Sequence, residues 1–338
     1  MSHQSIQYRI LEGFDDSSIT PDIWNDLIQK GTVNEIFLTW QWQKAWWQVF
    51  GRGKLLLITV EQDGKHSAIA PLFSDGGMIF FVGSGGSDYL DFIGDISSTD
   101  MLEHILLLAI KEVPDFTGFR FYHVPDTSPT ASKLADAAKK QQWLCYDEGD
   151  LPSPLLDIKN LPEWAEEATR KKSLVRHENW FKKNGGIHVQ HFSNAEDILP
   201  QLDHFFSQHI ARWEQTPFPS LFTENKQQLF YKCLSELTSE KNWLRFTVIN
   251  WQDKAIAYHF GFHYKSSFLW YKPSFDIGLA SHSPGEVLLR QLLFQAIREN
   301  ANIFDFGLGD EAFKKRFATH TRFVRTWGIY PSSSINTN

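Results

Sequence analysis

Cysteine occurs only twice in 338 residues, at Cys145 and Cys233. Two thiols cannot build a disulfide framework or a Cys-rich zinc site, so a reduced compartment is the simplest expectation. No stretch approaches the roughly 18 consecutive apolar residues of a membrane span. Met1-Ser2-His3-Gln4 lacks the basic and apolar regions of a secretory leader, and the expectation is a cytoplasmic protein. Positive charge is also short. Lys and Arg number 33 against 40 Asp and Glu, a net of −7, which leaves no global attraction for DNA or anionic lipid. A P-loop is missing. Gly83-Ser84-Gly85-Gly86-Ser87 leads into a strand pattern instead of a helix, so the dinucleotide fingerprint fails. Val82 stands where a nucleophile elbow needs Gly. His188 and His191 sit three apart in a strand pattern, on opposite faces, and no metal is expected.

Aromatic residues are abundant, with 13 Trp and 28 Phe, and their helix or strand spacing assigns most of them to a core. Hydrophobic residues at 42% and charged residues at 22% are globular composition, and the length suggests about two domains at roughly 150 residues each. Thr20-Pro21 and Thr39 open short helices ending at Gly31 and Gly51, the second carrying Trp42, Trp46 and Phe50 on one face. Strands are predicted over 54–61 and 66–73 around Asp63-Gly64, then over 78–82 and 88–92. Helices follow around Leu102 to Ala109 and over 128–142, with strands over 119–123 and 143–147. Residues 149–162 read as a linker. A basic helix over 162–184 follows, with Arg170, Lys171, Lys172, Arg176, Lys182 and Lys183, which by default is a solvated face. The second half repeats the plan: helix 223–239, strands 243–250, 255–264 and 268–271, a helix from Pro284 and a strand over 303–307. The Asp63 and Asp253 turns are 253 − 63 = 190 residues apart, and the strands at Phe119 and Ile303 are 303 − 119 = 184 apart. A mixed α/β structural duplication is expected, with domains 1–155 and 156–330 and a mobile tail over 331–338.

Three places carry chemistry. Ser283-Pro284-Gly285-Glu286 reads as a capping box with Pro at the first helical position. Gly285 leaves room for a ligand at a helix N-terminus suited to an anion. In the strand over 255–264, one face carries Ala, Ala, His, Gly, His, small and polar enough to line a pocket, with His259 or His263 as a general base. Asp305 lies between Phe304 and Phe306, where an unpaired carboxylate would be costly and a partner is required.

Taken with Tyr271-Lys272-Pro273-Ser274-Phe275-Asp276, with Phe304 to Glu311 and with Phe313-Lys314, these segments resemble the CelD-like family of GNAT-type acyltransferases. Phe37-Leu38-Thr39-Trp40, Asp88-Tyr89-Leu90-Asp91-Phe92 and Ser173-Leu174-Val175-Arg176 extend the resemblance over residues 37–327. It implies two tandem GNAT-like domains, related to Fem-type aminoacyl transferases, that move an acyl group from a thioester donor to an amine or hydroxyl. It further implies that Ser283, Pro284, Gly285 and Glu286 hold the pyrophosphate of acyl-CoA. His259, Lys314, Asp305 and Tyr271 would then be the catalytic set, with Arg176, Trp180, Asp91 and Tyr89 meeting a small-molecule or glycan-precursor acceptor. A carrier-protein or aminoacyl-tRNA donor, or a fold kept only for binding, are the alternatives.

Overall fold

The computed structural model describes residues 5–214 and 216–332. They divide into two compact units, one holding the chain up to Pro152 together with the segment from Arg322, the other running from Ser153 to Thr321. The division falls within three residues of the expected boundary at 155/156, whereas the segment from Arg322 goes with the first unit instead of the second. From Ser333 on, the expected tail lies outside the described residues. Among the described residues no helix is long and apolar enough to cross a membrane.

The first unit runs β1 (Ile6–Leu11), α1 (Pro21–Lys30), α2 (Trp40–Phe50), β2 (Lys54–Gln62), β3 (Lys65–Asp75), β4 (Met78–Phe81), the short β5 (Ile93–Gly94), α3 (Thr99–Lys111), β6 (Gly118–Pro125) and α4 (Thr130–Lys140). Local chemistry sets the helix starts. Thr20 accepts from the Ile23 N–H ahead of Pro21, and Thr39 accepts from the Trp42 N–H. The tryptophans do go inward: Trp24 and Trp42 are fully buried, and their indole N–H groups find the Leu38 carbonyl and the Ser87 hydroxyl, both at 2.9 Å. β1 to β4 pair antiparallel in order, and β4 then pairs parallel with β6.

β7 (Leu144–Asp157) leads into the second unit, which continues with α5 (Pro162–Thr169), α6 (Lys172–Lys183), β8 (His188–Phe192), α7 (Ala195–Trp213), α8 (Asn225–Ser239), β9 (Leu244–Trp251), β10 (Lys254–Tyr264), β11 (Ser267–Phe275), α9 (Pro284–Arg298), β12 (Ile303–Asp305) and the single turn α10 (Ala312–Lys315). β13 (His320–Tyr330) returns the chain to the first unit, where it pairs antiparallel with β6. In the second unit β8 to β11 pair antiparallel, β11 pairs parallel with β12, and β12 pairs antiparallel with the end of β7. Each unit therefore has the same plan of strand, two helices, three-strand meander, crossover helix and parallel strand. Each also takes its last strand from a distant segment, β13 in one and the end of β7 in the other. The core of the second unit packs Phe268, Trp270, Phe304 and Phe306 against Leu288, Leu292 and Leu293 of α9.

Several expectations are corrected. Residues 88–92 form no strand, because Leu90 donates to the His123 carbonyl and Asp91 accepts from the Phe92 N–H and the Thr130 hydroxyl, outside any ladder. The expected linker over 149–162 is largely strand. Pro154 is tolerated in it because a proline can still accept through its carbonyl, here from the Phe306 N–H. The basic helix over 162–184 is broken at Arg170-Lys171 into α5 and α6. Helix α7 is absent from the sequence reading because Pro200 lies inside it.

Candidate functional site

The parallel pairing of β11 with β12 covers only Ser267 to Leu269 opposite Ile303 to Asp305. Beyond that point β11 continues to Phe275, while the other chain leaves through a turn with Gly307 at φ 68° and Gly309 at φ 131°. The two strands part, and on that side β11 from Trp270 onward has no strand partner among the described residues.

A bulge sits at the parting. Phe260 pairs with Lys272 and Phe262 with Leu269, so Trp270 and Tyr271 together oppose Gly261. The His259 imidazole fills the interrupted ladder. Its Nε2 accepts from the Tyr271 N–H at 3.3 Å in one tautomer and faces the Leu269 carbonyl in the other. Gly261 is required beside it, because a Cβ there would lie 2.2 Å from the ring and 2.3 Å from the Leu269 oxygen. The ring is fully buried, stacked near Trp270 and Phe268, and among the described residues its Nδ1 has no partner. Burial holds its pKa down at about 3, so the imidazole is neutral and without an open surface. That geometry suits holding the bulge better than taking a proton from an acceptor.

Asp305 and Lys314 fix the turn opposite. Asp305 accepts from the Gly307 N–H at 2.8 Å and stands 3.4 Å from the Ser153 hydroxyl. Lys314, 4% exposed, donates to the Leu308 carbonyl at 2.7 Å and pairs with Glu311 at 2.9 Å. Its ammonium is spent on the turn as it stands. Tyr271 is buried, its ring stacked on Tyr231 and covered by the Lys272 ammonium at 4.0 Å.

The start of α9 lies at the end of β11. The capping box does not form. Ser283 is held left-handed (φ 52°, ψ 57°) and its side chain makes no cap bond, because a side-chain cap needs extended backbone at that position. Glu286 turns away instead. Its carboxylate meets His177 Nδ1 at 2.9 Å and the Arg316 guanidinium at 3.3 Å, and Arg176 donates to the other nitrogen of His177 at 3.1 Å. Among the described residues nothing bonds the Ser283 hydroxyl or the Gly285 N–H, which lie beside Phe275, the nearest neighbour of a Cβ at Gly285. One turn along α6, Trp180 stacks on His282 at 3.5 Å. Ser283, Gly285, Glu286, Arg176 and Trp180 are thus gathered around one helix start.

Tyr89 and Asp91 belong to the first unit. Tyr89 is fully buried against Phe37 with Arg322 over its ring, and Asp91 is bonded to Thr130. Neither offers the open contact surface expected of an acceptor residue. Three participants escaped the sequence reading. His177 and Arg316 are placed by folding alone. Arg212 donates to the Pro273 carbonyl at 2.9 Å and stacks on Phe275 at 4.2 Å. Burial lowers its pKa to about 10, and among the described residues no carboxylate pairs with it.

Comparison with known proteins shows what this arrangement is similar to. Residues 168–315 match the model of the acetyltransferase (GNAT) domain. No curated protein matches the sequence. Among solved structures, FemX superposes with a TM-score of 0.65 at 12% identity, covering 93% of this chain and 96% of that one. The C-terminal domain of a putative lysylphosphatidylglycerol synthetase from Agrobacterium fabrum gives 0.58 at 14%, covering 91% and 90%. A tandem GNAT protein from the clavulanic acid biosynthesis pathway gives 0.50 at 12%, covering 96% and 98%. The fold is shared with all three, and residues 168–315 are similar to a GNAT acetyltransferase domain.

Proposed function

We propose that the protein is an acyltransferase of the CelD-like kind that moves an acyl group from acyl-CoA to an amine or hydroxyl of a small molecule or a glycan or envelope precursor. The observation that carries this reading is the parting of β11 from β12 directly before a helix start whose Ser283 hydroxyl and Gly285 N–H are unbonded among the described residues. An extended, amide-bearing arm finds a free strand edge there, and a pyrophosphate finds donors and the positive end of α9. Glu286 would oppose a phosphate, but His177 and Arg316 hold its carboxylate. Bound acyl-CoA would supply the activated acyl group. The chain's own part is positioning: His259 and Gly261 hold the bulge that aims β11, and Lys314 and Asp305 hold the opposite turn. Arg212, a cation without an acid, suits an anionic group on the acceptor.

The test is thermal unfolding with acetyl-CoA, longer acyl-CoAs and free CoA. A donor at 100 times its dissociation constant stabilises by about 2.7 kcal/mol. Ser283→Glu, which puts a carboxylate at a half-buried surface position, should abolish the shift. No shift with any CoA species would sink the reading. A shift unchanged in Ser283→Glu would move the donor away from α9.

A further inference from the structure

At the break between α5 and α6 an open groove of about 520 Å³ is lined by Glu167, Arg170, Lys171, Lys172, Ser173 and Arg316. Four cations face one acid. Arg170 is paired with Glu166, and Arg316 is shared between the Glu286 carboxylate at 3.3 Å and the Ser173 hydroxyl at 3.0 Å. Lys171 and Lys172 pair with no carboxylate among the described residues. Two adjacent lysines thus stand without a carboxylate in a chain of net charge −7. Arg316 also fixes where the groove lies, because one side chain links it to the first turn of α9. Beside it, Trp164 is 46% exposed, and the Lys171 ammonium lies 6.0 Å from its ring and 5.4 Å from that of Phe317. Phosphate-binding cations next to an exposed flat ring are the chemistry that recognises a phosphorylated nucleotide. A longer polyanion such as RNA would need the basic stripe to continue along α6, but there Lys182 is taken by Glu178.

We propose that this groove binds the phosphomonoester on the ribose of the donor's nucleotide, so that the donor is held at two anionic points, its pyrophosphate at α9 and its ribose phosphate at Lys171, Lys172 and Arg316. The inference rests on the reading of the donor as acyl-CoA and adds that the enzyme distinguishes CoA from dephospho-CoA, which lacks only that phosphate.

Calorimetric titration of the full chain with acetyl-CoA and acetyl-dephospho-CoA, at low and high salt, tests it. The wild type should bind acetyl-CoA at least tenfold more tightly, and high salt should narrow the gap. The Lys171→Gln/Lys172→Gln double variant should bind both donors at the dephospho level, while Lys183→Gln, at the far end of α6, should behave as wild type. Equal binding of the two donors by the wild type overturns this inference and leaves the CoA reading standing. Discrimination that survives in the double variant overturns the placement. Binding of neither donor overturns both readings. A short RNA hairpin whose salt-sensitive binding is lost in the double variant, without discrimination between the CoA forms, reassigns the groove and overturns the proposal.

Discussion

At the scale of single residues, the histidine that alternation pointed to is present at the proposed site, but the tertiary structure changes what it can do. Alternation placed Ala257, His259, Gly261 and His263 on one face of β10. It could not tell that this face is covered by α9 and the rings of β11, because a pocket wall and a packed face read alike along a strand. His259 serves backbone groups of the bulge, and His263 is bound to Glu299 at 2.6 Å. Replacing His259 with Phe keeps a ring in the space but removes the acceptor of the Tyr271 N–H. It should cost about 1–3 kcal/mol in denaturant unfolding and weaken acetyl-CoA binding through the displaced edge of β11. A variant of undiminished stability and donor affinity would remove His259 from the bulge.

Elements show a different balance between sequence and fold. Pro284 at the first position and the apolar run Val287, Leu288, Leu289, Leu292 and Leu293 made α9 legible. The capping box was not realised, because the preceding 3₁₀ turn Ile277–His282 delivers Ser283 in the left-handed region, a constraint that lies in the chain before the motif. The consequence is measurable. A capping serine replaced by glycine costs a few tenths of a kcal/mol, against about 1 kcal/mol for alanine, but here Ser283→Gly should stabilise by some tenths to about 1 kcal/mol, since glycine meets no penalty at positive φ. A loss of stability in that variant would restore the cap.

Across the whole molecule, buried ionisable groups shape the pH dependence. Burial lowers His259 and His209 to about 3 and His191 to about 4. The unfolded chain therefore binds protons below about pH 6.5 that the folded chain refuses, and stability falls with pH from there. By pH 5 each should cost on the order of 2 kcal/mol. Asp91 has the opposite sign, since burial raises it to about 6 against the Thr130, Ser128 and Phe92 hydrogen bonds that lower it. Its charged form costs stability above that value and the cost disappears as pH falls toward 4. Asp91→Asn should thus gain about 2–3 kcal/mol at pH 8, with the gain gone near pH 4. Urea unfolding of both proteins across that range reads the crossing, and a gain independent of pH would assign the effect to packing.

The duplicated plan, the turns between strands and most of the aromatic core were legible because they depend on local periodicity and on Gly, Pro, Asp and Thr at fixed positions. Only the tertiary structure decided the rest. Each unit closes its sheet with a strand distant in sequence, which no local pattern encodes. The parting of β11 from β12 depends on where a parallel register stops. Glu286 meets His177 across 109 residues, and Arg316 meets Ser173 across 143. Side-chain periodicity is a property of neighbours along the chain, whereas the charge balance of a site is set by groups that only folding brings within hydrogen-bond distance.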